Sequence, residues 1–159
     1  MRGSITDFPV IMALLLSGGI SIFLVYLILT AISGAWPAAA GAESAAVLNA
    51  GISAFSVFDY MFVFFAVGLG AFTIISGFFI NSHPVFFVFS ALFLLPVCIL
   101  TSAQITNAFD AFITADAIVA VANEFPYIVT LMRNLPLFFL VIGIMVAIAV
   151  HAKPGGGQI

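Results

Sequence analysis

Charge is scarce in this chain, and its scarcity excludes several classes of function. Only three of the 159 residues are Lys or Arg and six are Asp or Glu, which gives a formal net charge of −3. Nucleic-acid binding needs clustered basic side chains that displace counterions from phosphates, and the sequence has no such cluster. Soluble domains carry roughly 25% charged residues. This chain carries 6%, so we expect most of its surface to face lipid.

Cysteine is almost absent as well. Cys98 is the one cysteine and lies in an apolar run, so we interpret it as a small buried hydrophobe rather than a disulfide or metal ligand. Asp110, Asp116 and Glu124 follow one another at spacings of six and eight residues, which do not place all three on one helical face. The sequence therefore predicts no catalytic group, no metal site, no cofactor and no enzyme activity.

Long apolar runs are what the chain does contain. Hydrophobic residues make up 65% of it, the mean hydropathy is +1.37, and charge-free stretches cover residues 8–42, 60–109 and 134–152. A charged side chain costs about 2.5–3.5 kcal/mol at the centre of a spanning helix, and about 20 residues cross the hydrocarbon core. We therefore predict an all-α membrane bundle, a single domain over 1–159, with four transmembrane helices at about 10–33, 60–80, 85–105 and 135–152 and a flexible glycine-rich tail at 154–159.

The connections between these spans have their own patterns. The turn-forming sequence NSHP at 81–84 predicts a tight antiparallel hairpin of spans two and three, and the Ala-rich first loop predicts a short helix near 43–50. In the segment 114–126, apolar residues recur with helical spacing, while Thr114 is a candidate N-cap and Pro126 a candidate stop. We predict a short amphipathic helix there that lies on the membrane surface or caps the bundle; its apolar residues are Ile118, Val121, Ala122 and Phe125.

Small residues form a stripe along span two. They recur at i, i+4, i+7 and i+11, on one side of a helix, and such stripes let two helices approach closely in lipid. The stripe is Ala66, Gly70, Thr73 and Gly77. Gly143 and Ala147 in span four, and Ser17 and Ser21 in span one, are the candidate partners. The stripe predicts a helix-packing surface rather than a ligand site.

A polar stripe follows the apolar part of span three. Ser102, Thr106 and Asp110 lie at i, i+4 and i+8 after Pro96, so they share one helical face. Polar residues in a span can line a water-filled path. Alternatively, the apolar length of span three ends near residue 105, and the stripe marks the point where the helix leaves the hydrocarbon core. Both interpretations remain open from the sequence.

The segment 81–153 carries a resemblance to a known class of protein. Its features are the His83-Pro84 turn into a Phe-rich span, the exit sequence NAFDAF at 107–112, and the prolines Pro126 and Pro136 before the last span. In this order they resemble small multi-span membrane proteins of tailless icosahedral bacterial or archaeal viruses with an internal membrane. The resemblance implies a structural virion protein that links the viral membrane to the capsid. The first span and the Ala-rich loop lie outside it.

Three functional hypotheses follow. The first is a structural or assembly protein whose partners are the lipid bilayer and other membrane proteins, capsid proteins or further copies of itself. The alternative is a channel-forming or permeabilising protein that uses the polar stripe, and the third is an accessory subunit of a respiratory or transport complex. Four spans place both termini on one side. The distribution of basic residues favours the cytoplasmic side of a host membrane, or its equivalent in a virion membrane.

Overall fold

The described residues form seven helices. A computed structural model describes residues 7–35, 41–78 and 84–151, so the predicted turn at 81–83 and the glycine tail at 154–159 lie outside the described residues. No strand occurs within the described ranges. The helices are α1 (Asp7–Ala35), α2 (Ala42–Ala54), α3 (Ser56–Phe78), α4 (Pro84–Ile113), α5 (Asp116–Glu124), α6 (Pro126–Arg133) and α7 (Leu135–His151).

Helix length and hydropathy confirm the membrane class. Two helical stretches, Pro9–Ala35 and Ala42–Gly77, are long and apolar enough to cross a bilayer. Two bent pairs raise the number to four if each pair counts as one span: α4 with α5, bent by 106°, and α6 with α7, bent by 65°. A helix that is apolar on all sides needs a protein core or lipid around it. These helices therefore indicate a membrane protein.

Helix α7 packs against both α3 and α4. Gly70 of α3 lies at Ile142 and Gly77 lies at Val146, so α3 and α7 run in the same direction. In contrast, Leu95 of α4 lies at Gly143, and Thr106 bonds to Met132, so α4 runs the opposite way. Helices α3 and α4, which cover the segments predicted as spans two and three, are therefore antiparallel, with α7 packed against each of them.

A cluster of aromatic side chains joins α1 to the C-terminal part of α4 and to the residue that follows α5. The Phe23 ring on α1 lies 5.8 Å from the Phe109 ring and 5.4 Å from the Phe125 ring. Tyr26 meets Phe125 edge-on at 5.0 Å. Phe23, Phe109 and Phe125 are fully buried, and aromatic contacts of this kind add about 0.5–1.5 kcal/mol each beyond the area they bury. This cluster fixes α5 against α1.

The boundaries differ from the predicted ones at three points. Helix α4 continues to Ile113, about two turns beyond the predicted end of span three, and Pro96 lies inside it. The helix predicted near 43–50 extends over Ala42–Ala54. Thr114 is not the N-cap of α5, because its hydroxyl donates to the carbonyl of Asp110 at 2.9 Å and so closes α4 instead. The N-cap of α5 is Ala115.

The segment after α4 contains two helices rather than one. Helix α5 buries Ile118 and Val121, and Phe125 follows them into the core, so the predicted apolar face is confirmed. Helix α5 ends at Glu124, just before Pro126 as predicted, but the chain does not become irregular there. Pro126 starts α6, where a proline at the first helical position loses no hydrogen bond. Helix α6 was not predicted, and it forms the centre of the polar contacts described next.

Candidate functional site

Asp59 makes the most unusual polar contact in the molecule. It lies in the first turn of α3 and is only 2% exposed. The N–H of Ile128 donates to its Oδ1 at 2.7 Å, and the N–H of Tyr127 donates to its Oδ2 at 3.1 Å. The first N–H groups of a helix have no partner within that helix. Asp59 thus caps α6 from a different helix.

The electrostatics of this contact favour a carboxylate. Helix N-termini carry a partial positive charge, and Asp59 lies at the N-termini of both α3 and α6. Hydrogen bonds to a charged acceptor contribute about 1.5–3 kcal/mol. In the sequence, Asp59 only precedes the charge-free stretch 60–109. The structure shows that its side chain is buried between helices.

The polar stripe of α4 lies against α6. The Thr106 hydroxyl donates to the carbonyl of Met132 at 2.9 Å, in the last turn of α6. Ser102 is fully buried, and its hydroxyl donates to the carbonyl of Ile99 in its own helix at 2.8 Å. The last carbonyls of a helix also lack partners within it. Asp59 and Thr106 therefore hold the two ends of α6.

Asp110 completes the stripe at the rim of the bundle. The Arg133 Nε donates to Asp110 Oδ1 at 2.8 Å, and both side chains are about half exposed, at 53% and 41%. Exposed ion pairs of this kind contribute only about 0.2–1 kcal/mol. Arg133 is the last residue of α6, where a positive charge suits the helix dipole. We call Asp59, Thr106, Asp110 and Arg133 the α6 clamp, since each of them ties α6 to α3 or α4.

The small-residue stripe of α3 lies against α7. A Cβ on Gly70 would approach the Ile142 side chain to 2.8 Å, and one on Gly77 would approach Val146 to 3.3 Å. Ala66 is fully buried, while the Thr73 hydroxyl donates to the carbonyl of Leu69 in its own helix. The stripe thus permits a close approach of α3 and α7.

Two of the predicted partners of that stripe, Gly143 and Ala147, belong to α7, the helix that packs against it. Gly143 faces Leu95 of α4, 2.9 Å from where its Cβ would stand, and Ala147 is partly buried in the core. Ser17 and Ser21 are exposed. Their neighbours Gly18 and Gly19 turn towards Phe62 of α3 instead. Gly143 thus belongs to the contact between α7 and α4, because small side chains alone do not determine which face of a helix turns towards a given neighbour.

The outer surface of the bundle is strongly apolar. Phe64 is 82% exposed, and a shallow groove of about 500 Å³ follows the same helix, with an entirely apolar lining. Its walls are Tyr60, Met61, Phe64, Phe65, Gly68 and Leu69. In water, exposed apolar area on this scale would drive association. In a bilayer it is the surface that lipid chains cover.

Among the described residues, no group of three or more His, Cys, Asp or Glu side chains is placed to hold a metal ion. Asp110 is paired with Arg133, whereas Asp116 and Glu124 lie at the two ends of α5 and are exposed. Cys98 is buried. In the same part of the chain, every buried side-chain nitrogen and oxygen has a hydrogen-bond partner. The arrangement found here therefore binds helix to helix.

No known protein family, curated protein or solved structure matches the chain.

Proposed function

We propose that this chain is a structural or assembly protein of a membrane, without enzyme activity. In this proposal α1, α3, α4 and α7 cross the bilayer as a four-helix bundle, and α5 lies at the level where the hydrocarbon ends. The observation that carries the proposal is the α6 clamp. The buried and half-buried polar side chains at that end of the molecule bind α6, and so they serve the shape of the bundle.

The polar stripe of α4 supports the same conclusion. A pore that used this stripe would need its polar side chains to face water along a continuous path. Thr106 instead bonds to Met132 of α6, and Ser102 is fully buried among packed helices. The proposal therefore assigns these residues to helix packing, in preference to a channel.

The resemblance of residues 81–153 supports a narrower form of the proposal. In that form the chain belongs to the internal membrane of a tailless icosahedral virus and ties it to the surrounding capsid. The partners are then lipid and capsid or membrane proteins. The test is the protein composition of purified virus particles. The protein should be present in many copies and should stay with the lipid fraction after the capsid shell is removed. Its absence from the particles would overturn the narrower form.

The channel hypothesis is tested separately. Purified protein in planar bilayers is expected to give no steady ion conductance, and Asp110→Asn should leave the permeability of the bilayer unchanged. Reproducible unitary currents from the unaltered protein, altered in size by substitution at Thr106 or Asp110, would contradict the structural proposal and establish the channel.

A further inference from the structure

The contacts between helices show which residues of different helices lie at the same height along the bundle axis. Gly18 and Gly19 of α1 face Phe62 of α3, and further along α1 the Tyr26 ring lies 6.4 Å from the Phe55 ring. Beyond Tyr26, α1 continues to Ala35. At 1.5 Å per residue this is about 13 Å of further helix. It runs beside α2, to which Ser33 bonds through Asn49 at 3.3 Å.

Charged groups indicate where the hydrocarbon core ends on this side. The Asp110–Arg133 pair and the whole of α5 belong to the level of Phe23 and Tyr26, because Phe109 contacts Phe23 and Phe125 contacts Tyr26. From Asp7 to Tyr26, α1 measures about 29 Å, close to the ~30 Å of a hydrocarbon core. By this measure span one ends near Tyr26 rather than at residue 33, so that residues 27–35 and α2 extend beyond the hydrocarbon core. We call this pair of segments the α1–α2 hairpin.

The α1–α2 hairpin carries apolar side chains that are exposed. Helix α2 has no buried residue, and Val47 on it is 73% exposed. On α1, Ile28 and Ile32 are 54% and 42% exposed, and as an i, i+4 pair they share one face. Lipid covers the equivalent residues lower on α1, such as Leu14. Outside the hydrocarbon the same kind of surface needs a protein to cover it.

The charges around the hairpin indicate which kind of protein fits. Glu43 on α2 and Asp116 and Glu124 on α5 are exposed, and the ion pair found in the described part of the chain does not involve them. The cation of that pair, Arg133, is already bound to Asp110. A second copy that docked through the same face would bring the same three acids against these, which repel one another. A partner with basic side chains would meet them favourably.

We propose that the α1–α2 hairpin is a docking surface for a protein segment with an apolar stripe flanked by Lys and Arg. This inference rests on the proposed membrane location, and it names the class of partner that such an assembly protein holds. The acids steer and orient the segment, while Ile28, Ile32 and Val47 supply apolar contact. Apolar contacts at the centre of an interface usually carry most of its affinity.

The first experiment locates the hairpin relative to lipid. Single cysteines at position 32 or 47, in a Cys98→Ala background, carry an environment-sensitive fluorophore in phosphatidylcholine nanodiscs. Position 14 on the same face of α1 is the matched control within the bilayer. Lipids with a nitroxide on the acyl chain should quench the fluorophore at position 14 strongly and those at 32 and 47 weakly. Equal quenching at all three positions would overturn the inference and place the hairpin in lipid.

The second experiment measures binding directly. The probe is a labelled synthetic amphipathic helix of about 18 residues, five turns, with a leucine stripe flanked by lysines; a second probe carries glutamates in place of the lysines. Fluorescence anisotropy should show that the lysine probe binds protein-loaded nanodiscs more tightly than empty ones, and that the glutamate probe does not. Equal affinity for loaded and empty nanodiscs would overturn the inference.

Variants then assign the binding to the hairpin. The triple variant Ile28→Ala, Ile32→Ala, Val47→Ala should weaken binding by about tenfold or more, as should Glu43→Gln with Asp116→Asn and Glu124→Gln. The matched control Leu14→Ala, Val67→Ala, Ile144→Ala removes exposed apolar side chains at lipid level and should leave binding unchanged. Equal losses in the control, or self-association of the unaltered protein that the hairpin triple abolishes, would contradict the proposal. A chain that floats with membranes but fails these tests would leave the proposed function standing.

Discussion

At the scale of single residues, Asp59 shows how a buried charge can organise a membrane protein. Its two oxygens accept the N–H groups of Tyr127 and Ile128, and Pro126 before them has no N–H to satisfy. Both oxygens of the carboxylate therefore accept a hydrogen bond at the point where α6 begins. Without such a partner the buried Ile128 amide and the part-buried Tyr127 amide would lose their acceptor, and a buried unpaired amide costs about 1–3 kcal/mol.

Asp59→Ala is expected to destabilise the bundle by about 2–4 kcal/mol, because both amides lose their acceptor. Thermal unfolding in a mild detergent, followed by circular dichroism, measures the effect. Glu43→Ala is the matched control, since Glu43 is an exposed acid in the first turn of α2. If the two variants unfold at the same temperature, the Asp59 contact does not hold α6.

Glycine positions on α3 offer a second comparison at this scale. Gly70→Leu should cost about 1–3 kcal/mol through overpacking against Ile142. Gly68→Leu adds the same side chain two residues away, where nothing lies within 4 Å of the new Cβ, and should be neutral. The readout is the aggregation temperature in detergent. Similar tolerance at both glycines would mean that α3 does not approach α7 as closely as described.

At the scale of elements, α6 depends on contacts at both of its ends. Its eight residues are too few for a helix to be stable alone, so its structure relies on the buried Ile128 and Met132 together with the α6 clamp. The contacts in the clamp are unequal. Thr106 bonds to Met132 in a part-buried position, whereas the Asp110–Arg133 pair is about half exposed.

Thr106→Val should therefore speed amide hydrogen exchange in α6 more than Arg133→Gln does. The hydroxyl bond contributes about 1 kcal/mol, and an exposed ion pair often contributes less. Exchange of the amides in 126–133, measured by mass spectrometry on protein in nanodiscs, reports the local opening. Raising the salt concentration should reduce only the effect of Arg133→Gln. Faster exchange in Arg133→Gln than in Thr106→Val would reverse this order.

Helices with a local hydrophobic pattern were predictable from the sequence, whereas contacts between residues far apart in the sequence were not. The helices at the four predicted spans, and the buried face of α5 with Ile118 and Val121, follow from local hydrophobicity and helical period. Helix α6 was missed because Pro126 was interpreted as a stop, although proline suits a first helical position equally well. The role of Asp59 had no local signal, since its partners lie 68 and 69 residues away.

At the scale of the whole molecule, the four proposed spans place both termini on the same side of the membrane. With four spans, residues 4 and 43 lie on opposite sides of the membrane. Ser4→Cys and Glu43→Cys, each in a Cys98→Ala background, should react with a membrane-impermeant thiol reagent from opposite sides of sealed vesicles. Reaction of both from the same side would mean that α1 does not cross the membrane, because α1 separates the two positions.

The cap that Asp59 provides also has a consequence for the order of synthesis. The chain emerges from its N-terminus, so α3 enters the membrane with its carboxylate before Tyr127 exists. At about 5–20 residues per second, the 68 residues between them take roughly 3–14 s. During that interval the nascent chain holds an unpaired acid at the end of a span. Truncated chains that lack α6 also lack the N–H groups of Tyr127 and Ile128 that Asp59 binds, which distinguishes them chemically from complete ones.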